Sequence, residues 1–404
     1  MKEQILNNIN LLNKEQQENL LYLFNETNTD FFDENYKNIM ESWHEKNREF
    51  DIPNTFVSIS INGNSNYYSN TNVLSKDTIF DIASMSKIYT EFILFGVIEE
   101  YGLSLQTKIK DIVDLYKDLE DLTLMDLISF NNTYKTKIDT RECTNYEDAI
   151  NALRTAYIEE DKKGYYLYTD LPIMILTDIL EEFTGMKYKD LFNKYIIEKY
   201  KFKHTYLEVD NDKYLTNNKG YTNDPKANIM GGYYGHCGVK TTADDLSKFL
   251  DIVLSSKYLN LYITPSETLD KDGTIKKAKA LIGNSNLSVS NDNSLASIYL
   301  PSNGFAIQGS VRCHAESCIF EIYHKRFHVV SCIFTDLYTQ IDNIHKYEVN
   351  NNIKISGNYK LKNGRELITC DVRKVLSYDN YYKELVNMVG KMRIIELYNF
   401  INNK

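Results

Sequence analysis

Long apolar runs are missing from this 404-residue chain, and no window reaches the length and apolarity of a membrane span. The N-terminal stretch MKEQILNNINLLNKEQQENLLYLF has neither a continuous apolar core nor a small-residue cleavage site, so no secretory signal is expected. Cysteine is sparse. The six residues Cys143, Cys237, Cys313, Cys318, Cys332 and Cys370 form no paired framework, which suits reduced thiols in a cytoplasm. Cys313, His314, Cys318 and His324 lie close in sequence, but in strand-like surroundings without zinc-ligand spacing, so no metal is expected there. Positive charge is also short. The formal net charge is −10 and the basic stretches IKKAKA and HKRFH are brief, which argues against a nucleic-acid surface. Only five prolines stand against 32 tyrosines, a compositional bias that carries no functional information.

What is there is globular. Apolar residues make up 43% and charged residues 25% of the chain, and its length allows one large domain or two ordinary ones. TFVSISINGNSNYYS alternates apolar and polar residues around Asn-Gly, the pattern of a β-hairpin over 55–75. Helices are expected over Ser84 to Tyr101, Leu122 to Ser129 and Tyr146 to Glu159. TDLPIMILTDILEEFTG reads as a helix closed by Gly185, and KYKDLFNKYIIEKY as another. TTADDLSKFLDIVLSS reads as a further helix opened by Thr242, with acids in its first turn. From Leu295 strands return, in ASIYLPSNGFAIQGSV, SCIFEIYH and FHVVSCIFTD. Strands, a long helical middle and strands again predict an α+β fold, with the terminal strands in one antiparallel sheet and the middle inserted as a helical lobe. The expected organisation is a helical extension over 1–50, a main domain over 51–340 and a C-terminal extension over 341–404 packing on it.

The segment FDIASMSKIYTEFILF raises the question of chemistry. Apolar residues recur at Met85, Ile88, Phe92 and Phe95, a helical period, so Lys87 would lie one turn above Ser84 on the same face. A serine hydroxyl is a poor nucleophile until a group takes its proton, and a buried lysine with a lowered pKa can do so. The alternative is an ordinary helix start followed by a surface lysine.

Further stretches bear on that choice. DTIFDIASMSKIYT, VIEEYGLSLQTKIKDIV, YLYTDLPIMILTDILEEFTGMKYKDLF and DPKANIMGGYYGHCGVKTTADDLSKF follow one another in order, and between Pro53 and Asp336 the chain resembles the serine β-lactamase and penicillin-binding-protein-like hydrolases. The likeness is to the class C β-lactamases and their esterase and D-aminopeptidase relatives. It implies a β-lactamase/transpeptidase-like fold, with an antiparallel sheet flanked by helices. It implies Ser84 as nucleophile, Lys87 beside it, and Tyr168 as the tyrosine of a Y-x-N motif, its phenol lowered by the lysine. Asp170 stands where such relatives usually have Asn. It would pair with Lys87 and hold it charged, or serve only as the helix N-cap before Pro172.

The third motif departs further. Where relatives place K-T-G or H-x-G, this chain has Ile307, Gln308 and Gly309, so the cation that meets a substrate carboxylate is absent unless Arg312 or His314 supplies it. SFNNTYKT replaces a turn that relatives often write His-Thr-Ser-Gly, and His236 is expected to pack the glycine-rich loop. By resemblance, Ser84 forms an acyl-enzyme from a small ester, amide or peptide, its oxyanion held by the N–H groups of Ser84 and Ser310, without metal or organic cofactor. A β-lactamase or wall-synthesis enzyme, and a non-catalytic binding protein on the same fold, are the alternatives.

Overall fold

The computed structural model describes residues 74–210 without a break, most of 221–287, residues 341–370, and six further strands: 54–61, 64–69, 214–215, 305–310, 317–322 and 329–336. The helical expectations for 1–50 and for the end of the chain, like Arg312 and His314, lie outside the described residues.

The chain opens with the hairpin β1 (Asn54–Ile61) and β2 (Asn64–Ser69), then a short strand β3 (Ile79–Asp81) and the helix α1 (Ser86–Tyr101). The lobe follows: α2 (Leu124–Ser129), β4 (Asn132–Lys135), α3 (Tyr146–Leu153), β5 (Tyr157–Lys163), α4 (Leu171–Thr184) and α5 (Tyr188–Phe192). Short strands β6 (Thr205–Tyr206) and β7 (Tyr214–Leu215), the turn of helix α6 (Pro225–Ile229), β8 (Lys240–Thr241), α7 (Ala243–Ser255) and α8 (Leu259–Ile263) lead back to the sheet. The sheet is completed by β9 (Asn286–Leu287), β10 (Phe305–Ser310), β11 (Ser317–Ile322) and β12 (Val329–Asp336). Helix α9 (Ile341–Asn351) and the hairpin β13 (Ser356–Lys360) and β14 (Glu366–Cys370) follow.

The six-stranded sheet runs β2-β1-β12-β11-β10-β9, every pairing antiparallel. Strands from the two ends of the sequence thus meet in one sheet, with Asn54 opposite Asp336 and Ile61 opposite Val329. Helix α7 lies against β1 and β12. It is opened by the Thr242 hydroxyl on the Asp245 N–H, as the sequence led one to expect. Helix α4 ends at Gly185, whose φ of 71° is the left-handed geometry of a helix C-cap.

Two expectations are corrected, and the helix expected over KYKDLFNKYIIEKY is found with a local change of winding. Helix α1 is not amphipathic: every residue from Ser86 to Ile98 is buried, so it is the central helix of the core. The helix expected over Tyr146 to Glu159 stops at Leu153, and Tyr157–Lys163 pairs with Asn132–Lys135 as a strand. Beyond Phe192 the α5 helix widens into a π-helical stretch, Asn193–Glu198.

A buried helix must satisfy its own polar side chains, and α1 does so against the glycine-rich loop. Ser86 Oγ accepts the Val239 N–H at 3.0 Å, Lys87 donates to the His236 carbonyl at 3.1 Å, and Thr90 Oγ1 donates to the Gly235 carbonyl at 2.7 Å. At Gly235 the loop can come this close only without a side chain. A Cβ on Gly235 would stand 1.9 Å from Thr177 Oγ1 and 3.1 Å from Thr90 Cγ2. Gly235→Ala is therefore expected to destabilise the protein by about 1–3 kcal/mol, as overpacking does. Urea denaturation checks this, and an unchanged midpoint would contradict it.

Candidate active site

Ser84 sits in the middle of a 3-10 turn, Ala83–Met85, one step before α1 rather than inside it. Ala83 has a φ of 48°, a left-handed backbone that costs a residue with a Cβ roughly 1–2 kcal/mol. Asp81 holds it there. Its buried carboxylate accepts the Ala83 N–H at 3.0 Å and the Thr222 hydroxyl at 2.7 Å. The turn leaves Ser84 partly exposed between buried Ala83 and Met85.

Lys87 Nζ meets three acceptors: Ser84 Oγ at 2.9 Å, Asp170 Oδ1 at 2.8 Å and the His236 carbonyl at 3.1 Å. An ammonium has three protons and nothing to accept with, so this is a charged lysine with every proton used. Burial alone pulls its pKa down, but Asp170 and Tyr168 outweigh burial and hold it above the ordinary lysine value. Of the two readings of Lys87, a base with a lowered pKa is corrected and a lysine held charged by Asp170 is the one the structure has.

Tyr168 stands just before α4. Its hydroxyl is buried and completes no well-formed hydrogen bond, although Lys87 and Ser84 both lie near enough to favour the phenolate, and Lys87 Nζ lies 5.0 Å from its ring centroid. Phe130, in left-handed backbone at the end of α2 (φ 56°), sets its ring 5.4 Å from that of Tyr168. The Leu167 N–H donates to the Phe130 carbonyl at 3.1 Å. The unusual SFNNTYKT stretch therefore builds an aromatic wall behind the tyrosine. Burial pushes the Tyr168 phenol above its usual value; Lys87 pulls it down and Asp170 pushes it back up. The lowered phenol expected from the lysine alone is corrected, because burial wins.

Asp170 occupies the N-cap position of α4, yet its side chain makes no capping bond. Its two oxygens are shared between two lysines, Oδ1 with Lys87 at 2.8 Å and Oδ2 with Lys226 Nζ at 2.7 Å. Burial raises the carboxyl, but Lys226, Lys87 and His236 hold it well below the usual aspartate range. Lys226 comes from α6, whose N-cap Asp224 accepts the Ala227 N–H at 2.8 Å and faces His236 Nε2 at 3.0 Å. His236 itself is fully buried and ties the loop to both Asp224 and Lys87.

Asp170, Asp224 and His236 bring one potential ligand atom each to within 4.8 Å of one another. Both oxygens of Asp170 are already engaged by ammonium groups, and a metal ion would have to displace them. The cluster is an ion-pair network. Strand β10 lies against the Ser84 turn, with Gln308 opposite Ile319, Gly309 opposite Cys318 and Ser310 opposite Ser317. The structure thus brings Ser84, Lys87, Tyr168 and Asp170 together. Lys226, Asp224 and Asp81 were not singled out from the sequence: Asp224 and Lys226 lie more than 50 residues from Asp170 in the chain, and a lone aspartate at the end of a three-residue strand leaves no periodic signal.

The sequence model of the Beta-lactamase family matches residues 32–285. The chain belongs to the Beta-lactamase family. That match ends before β10, the strand on which the third motif departs from the pattern. Among curated proteins, Teichoic acid D-alanine hydrolase of Staphylococcus aureus (strain NCTC 8325 / PS 47) is 26% identical over 207 residues, 50% of this chain and 52% of the relative. The chain spans about half the length of the curated relatives it matches. Solved structures share the β-lactamase/transpeptidase-like fold. A class C β-lactamase from Rhodobacter sphaeroides superimposes with a TM-score of 0.55 at 18% identity, covering 78% of this chain and 99% of that one. A penicillin-binding protein homologue from Pyrococcus abyssi gives 0.57 at 17% identity, over 78% of this chain and 77% of that one. FmtA from Staphylococcus aureus gives 0.55 at 17% identity, over 89% of this chain and 97% of that one.

Proposed function

We propose that this Beta-lactamase-family chain is a serine hydrolase or acyltransferase that acts through an acyl-enzyme on Ser84, with a small ester or amide as substrate. The observation that carries the reading is Lys87 Nζ at 2.9 Å from Ser84 Oγ, with the buried hydroxyl of Tyr168 facing both. A charged Lys87 can only donate, so Ser84 Oγ accepts from it and the serine proton is left for another acceptor. Tyr168, once a phenolate, is that acceptor. It acts as general base, while Lys87 steadies both oxygens by its charge. Ser84 Oγ then bonds to the substrate carbonyl carbon, and the oxyanion is received by the backbone N–H groups of Ser84 and Ser310. Gly309 lets the substrate approach the strand backbone, and Gln308 is its polar neighbour there. Tyr168 returns the proton to the leaving group, and water or another nucleophile releases the acyl group. These steps call on no cofactor.

The substrate class follows from the third motif. Ile307 offers no charge to a carboxylate, which favours uncharged esters and amides over penicillins and free peptide C-termini. A D-aminoacyl ester suits this site, since it carries an ammonium rather than a carboxylate beside the scissile carbonyl, and the name of the curated relatives supports it. A matched pair of substrates, a free acid and its methyl ester, tests this. A charge-assisted contact of the missing kind is worth roughly 1.5–3 kcal/mol, so the ester is expected to have the higher kcat/KM by about one to two powers of ten. A clear preference for the free acid, abolished by Arg312→Ala, would contradict it and assign the cation role to Arg312; His314 is checked in the same way.

Among the described residues no helix is long and apolar enough to cross a membrane. A cytoplasmic site of action is part of this proposal, and cell fractionation with an antibody to the chain tests it. We also propose that residues 51–340 form the hydrolase domain and 341–404 an extension packed on it. The contact that supports this is Arg365 Nη1, on the turn before β14, donating to Asn228 Oδ1 on α6 at 2.6 Å.

A further inference from the structure

The geometry points to Lys226 as a positioning residue: it anchors one oxygen of Asp170, so that the other oxygen takes a single proton of Lys87 and leaves Lys87 aimed at Ser84. The inference rests on the serine-hydrolase reading above. A carboxylate beside a lone lysine is free to turn and take two of its protons, one on each oxygen. Here that is prevented, because Oδ2 is held by Lys226 at 2.7 Å and only Oδ1 is left for Lys87 at 2.8 Å. The remaining two protons of Lys87 go to Ser84 Oγ at 2.9 Å and the His236 carbonyl at 3.1 Å. Lys226 is the only residue besides Lys87 whose ammonium reaches Asp170 among the described residues. Its side chain is 19% exposed, so it is held in the wall of the site rather than free in solvent.

Charge makes the arrangement self-consistent. Two ammonium groups face one carboxylate, and Asp224 adds a second negative charge next to Lys226. Asp224 is in turn fixed by His236 and by the first turn of α6. Lys226 and Lys87 repel each other across the carboxylate they share. The pair Asp170–Lys226 thus works as one unit joining α4 to α6 across 56 residues of sequence. Nothing in the resemblance that pointed to Ser84, Lys87 and Tyr168 assigns a role to this lysine.

The test is a double-mutant cycle on the full chain with Lys226→Met, Asp170→Asn and the pair, together with Lys226→Arg. Ester turnover and the denaturant midpoint are measured for each. Lys226→Met is expected to lower kcat at least about ten-fold with KM changed less than about two-fold, and Lys226→Arg to restore most of kcat. In the Asp170→Asn background, Lys226→Met is expected to cost little more, because the carboxylate it positions is gone. Two kinetic results would overturn the inference. One is an equal loss of kcat from Lys226→Met in both backgrounds. The other is an unchanged kcat with KM raised for anionic substrates, which would make Lys226 a substrate contact. If the wild-type chain turns over no ester, the hydrolase reading fails separately. The four midpoints then still decide the pair: non-additive changes support the coupling, and additive changes overturn it.

Discussion

Replacing Tyr168 with phenylalanine is expected to slow acylation of Ser84 by about 10²–10⁴-fold, the range for removing a general base. The substitution removes only the oxygen, so the ring stays packed beside Phe130 and below the Lys87 ammonium. The buried hydroxyl completes no well-formed hydrogen bond, so its loss is not expected to cost stability. A pH profile carries the second half of this prediction. Burial holds the phenol of Tyr168 above its usual value of 10.0, so at neutral pH only a small fraction is phenolate. The rate of acylation should therefore climb about ten-fold per pH unit from neutral pH to at least pH 9. It should climb with no plateau near neutrality, and Tyr168→Phe should remove the slope. A wild-type plateau near pH 7, or a slope that survives in Tyr168→Phe, would mean that the proton leaves by another route.

Asp170→Ala is expected to lower the stability of the folded chain by about 3–5 kcal/mol, the range for breaking a buried ion pair from one side. The carboxylate it removes is the common partner of Lys87 and Lys226, whose side chains are 5% and 19% exposed. Without it, two ammonium groups face each other across a gap with no charge between them. The pH dependence has a definite sign. The carboxyl of Asp170 is held well below the usual aspartate value of 3.8, so its contribution is fully present above that value and is lost as the pH falls through the lower folded-state value. The gap in stability between wild type and Asp170→Ala should therefore be constant from neutral pH down to about 4 and shrink in stronger acid. Denaturant titrations at three pH values measure this. A gap below about 1 kcal/mol at pH 7, the level of an exposed pair, would show that the network carries little of the fold.

The parts of the fold legible in the sequence are those where local pattern and tertiary structure agree. The alternation in TFVSISI gives β1, Gly185 closes α4 and Thr242 opens α7. The pairing of β1 with β12 was legible only through the order of the segments, since no local signal joins Asn54 to Asp336 or Ile61 to Val329. Helix α1 misled in the opposite way. Its apolar positions have a helical period, but the polar Ser86, Lys87, Thr90 and Glu91 are buried too, each with a partner that only the fold supplies. The strand Tyr157–Lys163 is largely charged and exposed, and its pairing with Asn132–Lys135 overrides a sequence that continues the helical run before it.

The candidate site divides along the same line. Ser84 and Lys87 are three apart and could be read together; Tyr168 and Asp170 became visible through the helix that follows them. Lys226 could not be found this way. A single lysine in the stretch DPKANIM has no spacing relation to Asp170, and only the packing of α6 beside the start of α4 brings their charged atoms to 2.7 Å. The pKa directions were likewise hidden. Resemblance places a lysine beside a serine and a tyrosine, but whether burial or the neighbouring carboxylate prevails depends on distances that sequence does not contain.

Intact-protein mass spectrometry after exposure to a reactive phosphonate ester tests the central claim most directly. One adduct per chain is expected, mapped to Ser84 by peptide analysis and absent from Ser84→Ala, which should otherwise fold as the wild type does. Labelling that persists undiminished in Ser84→Ala, or a wild-type chain that takes up no adduct at all, would contradict the assignment of Ser84 as nucleophile.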